Sequence, residues 1–212
     1  VIYISDEVVT GFGRLGHWYA SEPVFDITPD IIISAKGLTS GYVPLAAMII
    51  SDQLIDEVSQ SVEGGAVFSN GFTYSGHPVA CAAALANMDL FESDGLLENA
   101  RALGPYMQSQ LQSLADLPIV GDIRGHGLMG CLECVVSKES KQPLELDYAV
   151  GNRIDKYCQQ LGLLVRPLIN MCVMSPPLCI TAEQIDDMVK ILREGISRTM
   201  DDLEREGVGR FS

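Results

Sequence analysis

Three unbroken apolar runs set the pattern of the first 50 residues: Val1-Ile-Tyr-Ile-Ser5, Ile31-Ile-Ile-Ser34 and Leu45-Ala-Ala-Met-Ile-Ile50. Continuous runs bounded by Gly- and Asp-bearing loops read as strands buried on both faces, as in an α/β sheet. The pattern predicts a short amphipathic helix over 52–60 and a loop over 64–75. An Ala-rich helix follows from Pro78 to about Phe91, with proline suited to the first turn. Helical spacing continues through Leu97, Ala100, Leu103, Met107, Leu111 and Leu114, with an interruption expected at Gly104-Pro105. After Ile119 the texture changes. Strands are expected at 120–123 and 127–136 around an Arg124-Gly-His-Gly127 turn, and short strands at 163–165 and 172–174. Helices are expected over 148–161 and from a Thr181-Ala-Glu-Gln184 capping box to about Glu204, then a loose tail from Gly207. The division implied is an α/β portion over residues 1–100 and a smaller α+β domain over 101–212. A strand at the very first residue, with no polar segment before it, predicts that more chain precedes Val1.

Composition narrows the class. Over 212 residues, 47% are apolar and the formal charge is −14. That excludes a largely disordered chain and disfavours nucleic acid or an anionic membrane as partner, since both are held by clustered Lys and Arg. No apolar stretch approaches the ~20 residues that span a bilayer. The six cysteines sit mostly inside apolar runs and form no disulfide scaffold, so a reducing, cytoplasmic setting is expected. Cys131-Leu-Glu-Cys134 spells C-x-x-C without a second pair and reads as ordinary buried thiols. His17, His77 and His126 lack metal-ligand spacing. His77, just before Pro78, suits a helix cap; His17-Trp-Tyr19 suits either packing or a substrate entrance.

In doubly wound sheets ligands gather at the carboxyl ends of strands. One strand ends at Asp6 and another just before Lys36. The two are either a reactive acid–amine pair or separate solvated charges. The words around them are Asp6-Glu-Val-Val-Thr-Gly-Phe-Gly-Arg14, Thr28-Pro-Asp30, Ser34-Ala-Lys-Gly-Leu-Thr-Ser-Gly-Tyr42 and Asn70-Gly-Phe-Thr-Tyr-Ser-Gly-His-Pro78. In this order they closely resemble the class III, or omega, aminotransferases, from Val1 to about Arg193.

The resemblance implies fold type I, with residues 1–100 the later part of the cofactor-binding large domain and 101–212 the C-terminal small domain. It implies pyridoxal 5'-phosphate as cofactor and transfer of an amino group from an amine, diamine or ω-amino acid to a keto acid such as pyruvate. By motif, Asp6 keeps the pyridine nitrogen protonated, Val8 stacks on the ring, and Lys36 is the Schiff-base lysine and proton shuttle. Thr73, with Phe72 beside it, matches a threonine that reaches across a homodimer to the partner's phosphate; the bland alternative is a loop threonine. Arg166 matches a mobile arginine that binds the substrate carboxylate, or else forms a structural ion pair. Glu7 and Arg14 would orient the loop around the acid. An aminomutase, a decarboxylating relative, a phospholyase, or an inactive half-chain that only binds or dimerises are the other readings open at this point.

Overall fold

The computed structural model describes residues 1–60, 71–139 and 141–208. The chain divides into two compact units, Val1–Leu97 and Glu98–Ser212.

In the first unit, β1 (Ile4–Asp6), β2 (Ile31–Ser34) and β3 (Ala47–Ile50) form a sheet in that order. β1 and β2 are parallel, with Ile4 opposite Ile31 and Asp6 opposite Ile33. β3 runs antiparallel to β2, with Ser34 opposite Ala47. The long crossover between β1 and β2, which contains α1 (Ser21–Phe25), is what a parallel pair requires, whereas the shorter return to β3 permits antiparallel pairing. The three runs are strands, but the expected burial on both faces is not met. Ile4 is 51% exposed, Met48 48% and Ile49 45%, because the described residues do not pack over both faces of the outer strands β1 and β3. The ladder of β1 also starts late. The Asp30 carboxylate accepts from the Tyr3 amide (2.7 Å) where a strand carbonyl would otherwise pair. Two helices complete the unit, α2 (Asp52–Ser59) and α3 (Pro78–Ser93). Residues 64–70 of the expected loop lie outside the described residues, as do 209–212 of the expected tail.

The second unit is built on an antiparallel sheet, ordered β4 (Val120–His126), β5 (Met129–Ser137), β8 (Met171–Met174) and β7 (Arg166–Leu168), with β6 (Gln142–Pro143) on β5. Against it pack α4 (Leu96–Gln112), α5 (Val150–Gln160) and α6 (Ala182–Arg205), burying Met107, Leu132, Ile154, Leu192 and Ile196 completely. Fully burying a side chain of this size contributes roughly 1.5–3 kcal/mol. Thr181 caps α6 as expected: its hydroxyl accepts from the Gln184 amide (3.3 Å), and Gln184 accepts from the Thr181 amide (3.0 Å).

Three expectations are corrected here. Gly104-Pro105 does not interrupt α4. The helix is held by its buried face, where a Cβ on Gly104 would lie 2.8 Å from Gly127 Cα. Gln108 also donates across to the Gly127 and Met129 carbonyls (2.8 and 2.9 Å). The first hairpin turns at Gly127-Leu128, not over residues 124–127, since His126 already pairs with Met129; Gly127 takes the positive φ (55°) of a two-residue turn. Finally, the strand expected at 163–165 begins at Arg166. Its register is counted back from the tight Ile169-Asn170 turn, which sets Leu168 opposite Met171 and Arg166 opposite Val173.

Candidate active site

Parallel pairing of β1 and β2 brings Asp6 and the turn carrying Lys36 to the carboxyl ends of adjacent strands, and Glu7 N–H extends the ladder to the Ile33 carbonyl (2.8 Å). Asp6 Oδ1 accepts from the Val8 amide (3.0 Å), turning the chain at the strand end. Oδ2 has no partner among the described residues and is free to meet a ligand. Val8 follows on the same turn, partly exposed.

Glu7 points inward and is 2% exposed. Its carboxylate accepts from the Ala20 amide (2.6 Å), the Ser21 amide (2.8 Å), Thr10 Oγ1 (3.1 Å) and Ser21 Oγ. A buried carboxylate demands this many donors. The loop of residues 8–20 is thereby closed onto the base of Asp6. Phe12 locks it further, edge-on to Trp18, Tyr19 and Phe91 at 5.8, 5.7 and 6.2 Å, with Trp18 stacked on Phe91 at 5.2 Å. Of the two roles open for Trp18 and Tyr19, these rings fill the packing one. Burial draws the Arg14 guanidinium below its usual range; a guanidinium nonetheless remains charged.

Lys36 opens a four-residue 3-10 helix, Lys36–Thr39. Its φ is +44°, a left-handed conformation that costs a non-glycine residue roughly 1–2 kcal/mol. Its side chain is exposed at the strand end. Gly37 must be glycine, since a Cβ there would lie 2.7 Å from Phe12 Cβ. Asn87 of α3, buried, donates to the Gly37 and Leu38 carbonyls (2.9 and 3.1 Å) and accepts from Ser40 Oγ (2.6 Å). Sequence reasoning missed Asn87. The signal was a single amide on the inward face Ala80, Ala84, Asn87, Phe91 of an otherwise apolar helix.

Phe72, Thr73 and Tyr74 precede α3 on an exposed turn, closed by Ser75 N–H to the Phe72 carbonyl (2.9 Å) and Phe72 N–H to Ser75 Oγ (3.0 Å). Phe72 and Tyr74 are 87% and 81% exposed. His77 stands at the N-cap of α3, but its side chain makes no capping bond, contrary to expectation. Its ring meets Tyr74 edge-on at 6.3 Å instead.

In the second unit Arg166 is exposed at the start of β7, with no ion-pair or hydrogen-bond partner for its guanidinium among the described residues. Pro167 beside it is tolerated because β7 is an edge strand. Cys131 and Cys134 are free thiols. Burial pushes Cys134 up to about 12 and raises Cys131 as well, which opposes the thiolate form that metal binding or redox exchange requires.

The sequence profile of the family described as aminotransferase class-III matches residues 1–196. Among curated relatives, an uncharacterized aminotransferase of Sinorhizobium fredii is 41% identical over 210 residues, covering 98% of this chain and 45% of the relative. The putrescine–pyruvate aminotransferase of Pseudomonas aeruginosa is 38% identical over 200 residues, covering 94% and 42%. Among solved structures, the PMP-bound aminotransferase of Vibrio fluvialis superimposes with a TM-score of 0.89 at 40% identity, covering 95% of this chain and 44% of that one. The chain therefore spans less than half the length of the relatives it matches.

Proposed function

This chain belongs to the class III aminotransferases, and from that premise we propose that it supplies the lysine and the acid of a pyridoxal 5'-phosphate-dependent transaminase. The amino group moves from an amine, diamine or ω-amino acid to a keto acid such as pyruvate. The putrescine–pyruvate relative supports this donor and acceptor class. The observation that carries the reading is the acid–amine pair: an uncommitted carboxylate oxygen on Asp6 and an exposed Lys36 at the ends of paired parallel strands.

These residues fit the cofactor by the chemistry of their donor set. Bound there, pyridoxal phosphate supplies an aldehyde carbon that takes up an amine and a protonated pyridine ring that draws off the electrons of the Cα–H bond. Asp6 Oδ2 holds the proton on the ring nitrogen, because an adjacent anion stabilises that cation. Val8 offers an apolar contact to the ring face. Lys36 Nζ would hold the aldehyde and, as a free amine, would take up the substrate's Cα proton. Thr73 Oγ1 donates to the cofactor phosphate of the partner subunit in a homodimer, with Phe72 beside it. Arg166 pairs with the carboxylate of a keto acid or amino acid through two parallel hydrogen bonds.

Among the described residues no helix is long and apolar enough to cross a membrane. The free cysteines suit a cytoplasmic setting. Borohydride reduction followed by peptide mass spectrometry tests the reading. The cofactor is expected on Lys36, and the absorbance band of the holoenzyme is expected to bleach with an amine donor and return with pyruvate. A label on another lysine, or a full band in Lys36→Ala, would overturn the assignment.

A further inference from the structure

The inward face of α3 holds both halves of the candidate site at one helical spacing. Phe91 packs on Phe12 of the acid's loop, and Asn87, one turn earlier, grips the lysine turn. That turn is short and strained. It is four residues long and begins with Lys36 at φ +44° and reverses at Ser40 with φ +48°. Short 3-10 segments are poorly bonded, and non-glycine residues stay left-handed only where their surroundings over-determine them. The reversal closes through Ser40 N–H to the Gly37 carbonyl (3.1 Å) and Gly41 N–H to the Lys36 carbonyl (3.0 Å). Tyr42 N–H goes to the Thr39 carbonyl (3.0 Å). The Leu38 carbonyl is left to Asn87 (3.1 Å).

We propose that Asn87 is a positioning residue for Lys36, its buried amide fixing the turn that aims the reactive amine. The inference rests on the reading of Lys36 as the cofactor's lysine. Only one orientation of the amide works: both Nδ2 protons go to main-chain carbonyls, and Oδ1 receives the Ser40 hydroxyl. A flipped amide would face two acceptors with an acceptor. Without the amide, Lys36 relaxes toward negative φ, and its Cα–Cβ direction swings the four-carbon stem. The bond that Nζ forms with the cofactor aldehyde, water leaving, then starts from a misplaced amine.

The test uses holoenzyme whose pyridoxal phosphate is stripped and added back. Asn87→Leu keeps the apolar packing and removes the bonds. Its rate of covalent attachment, read by absorbance and by borohydride trapping, is expected to fall about tenfold or more, the scale of a small misplacement. The spectrum at equilibrium is expected to shift from lysine-bound cofactor toward free aldehyde. An unchanged attachment rate and spectrum in folded Asn87→Leu would overturn the proposal. Should that variant fail to fold, Ser40→Ala decides. Serine 40 is exposed and its hydroxyl is one of the three bonds that hold the amide, so attachment slower by about threefold supports the proposal, on the scale of one hydrogen bond. An unchanged rate overturns it. Trapping in the wild type separates the two ideas, because cofactor found on another lysine defeats the parent reading whatever the variants do.

Discussion

Asp6 and Lys36 are held by opposite means. The acid is set by a relaxed turn of its own, with Oδ1 bound to the Val8 amide, and by the buried Glu7 network beneath it. The lysine sits in a strained conformation that neighbours impose. This difference makes Asp6→Asn a clean probe. Asparagine still accepts from the Val8 amide, so the turn survives, but the charge proposed to face the ring nitrogen is gone. Loss of an electrostatic contribution of this kind is worth about 3–4 kcal/mol in the transition state. Single-turnover reaction of the holoenzyme with an amine donor should therefore slow by orders of magnitude; a retained rate means Asp6 is not the ring's partner. A second residue-scale prediction concerns the buried thiols. Burial pushes Cys158 up to about 11 and Cys134 to about 12, and raises Cys172 further, from a starting value of 9.0. Between these values the unfolded chain loses protons that the folded chain keeps, so stability is whole below pH 9 and declines above it. The slope is at most about 1.4 kcal/mol per pH unit for each thiol. Urea melts between pH 8 and pH 10 measure it, and Cys134→Ala should make the decline shallower. An identical slope in that variant would show that Cys134 does not carry the effect.

At the scale of elements, what local chemistry decides was legible and what tertiary contact decides was not. The apolar runs at 31–34 and 47–50, proline at the first turn of α3, and the Thr181 box each contain their own instruction. The register of β7 does not, because it is set by the Ile169-Asn170 turn, with Ile169 at φ +58°. That turn is strapped by Gly151 N–H to the Ile169 carbonyl (2.8 Å) and by Asn170 Nδ2 to the Cys134 carbonyl (2.8 Å). Pro105 in α4 likewise yields to a packed face and to Gln108. The candidate site divides the same way: Asp6, Lys36 and Thr73 stand in recognisable words, whereas Asn87 acts through backbone carbonyls fifty residues away. The shifted start of β7 bears on Arg166, which is anchored by ladder pairing with Val173 while its guanidinium stays uncommitted. Such an arginine can read a carboxylate in one half-reaction and stand aside in the other. Arg166→Ala should then lose about 2–4 kcal/mol in the step with pyruvate, as for a truncated bidentate ion pair. The step with a simple monoamine should change by under about 1 kcal/mol. Equal losses in both would assign Arg166 a structural role.

For the whole molecule, the proposed homodimer draws its support from where Thr73 stands. Thr73 lies between two aromatic residues that are 87% and 81% exposed, on a turn closed by its own main chain. A turn that projects bare aromatic rings beside a hydroxyl offers an interaction surface, and the proposed occupant is a second copy of the chain. In a two-fold dimer, whatever one subunit lends it also receives. Mixing Thr73→Ala subunits with Lys36→Ala subunits therefore has a definite outcome. Where Thr73 crosses the interface, the mixed dimer has one site with both lesions and one with neither. Heterodimers isolated with two affinity tags should then recover about half the wild-type activity, although each parent homodimer is impaired at both sites. If Thr73 serves its own subunit, each site of the heterodimer carries one lesion and nothing is recovered. The comparison needs no assumption about the donor, because any amine that the wild type accepts reports on both sites alike.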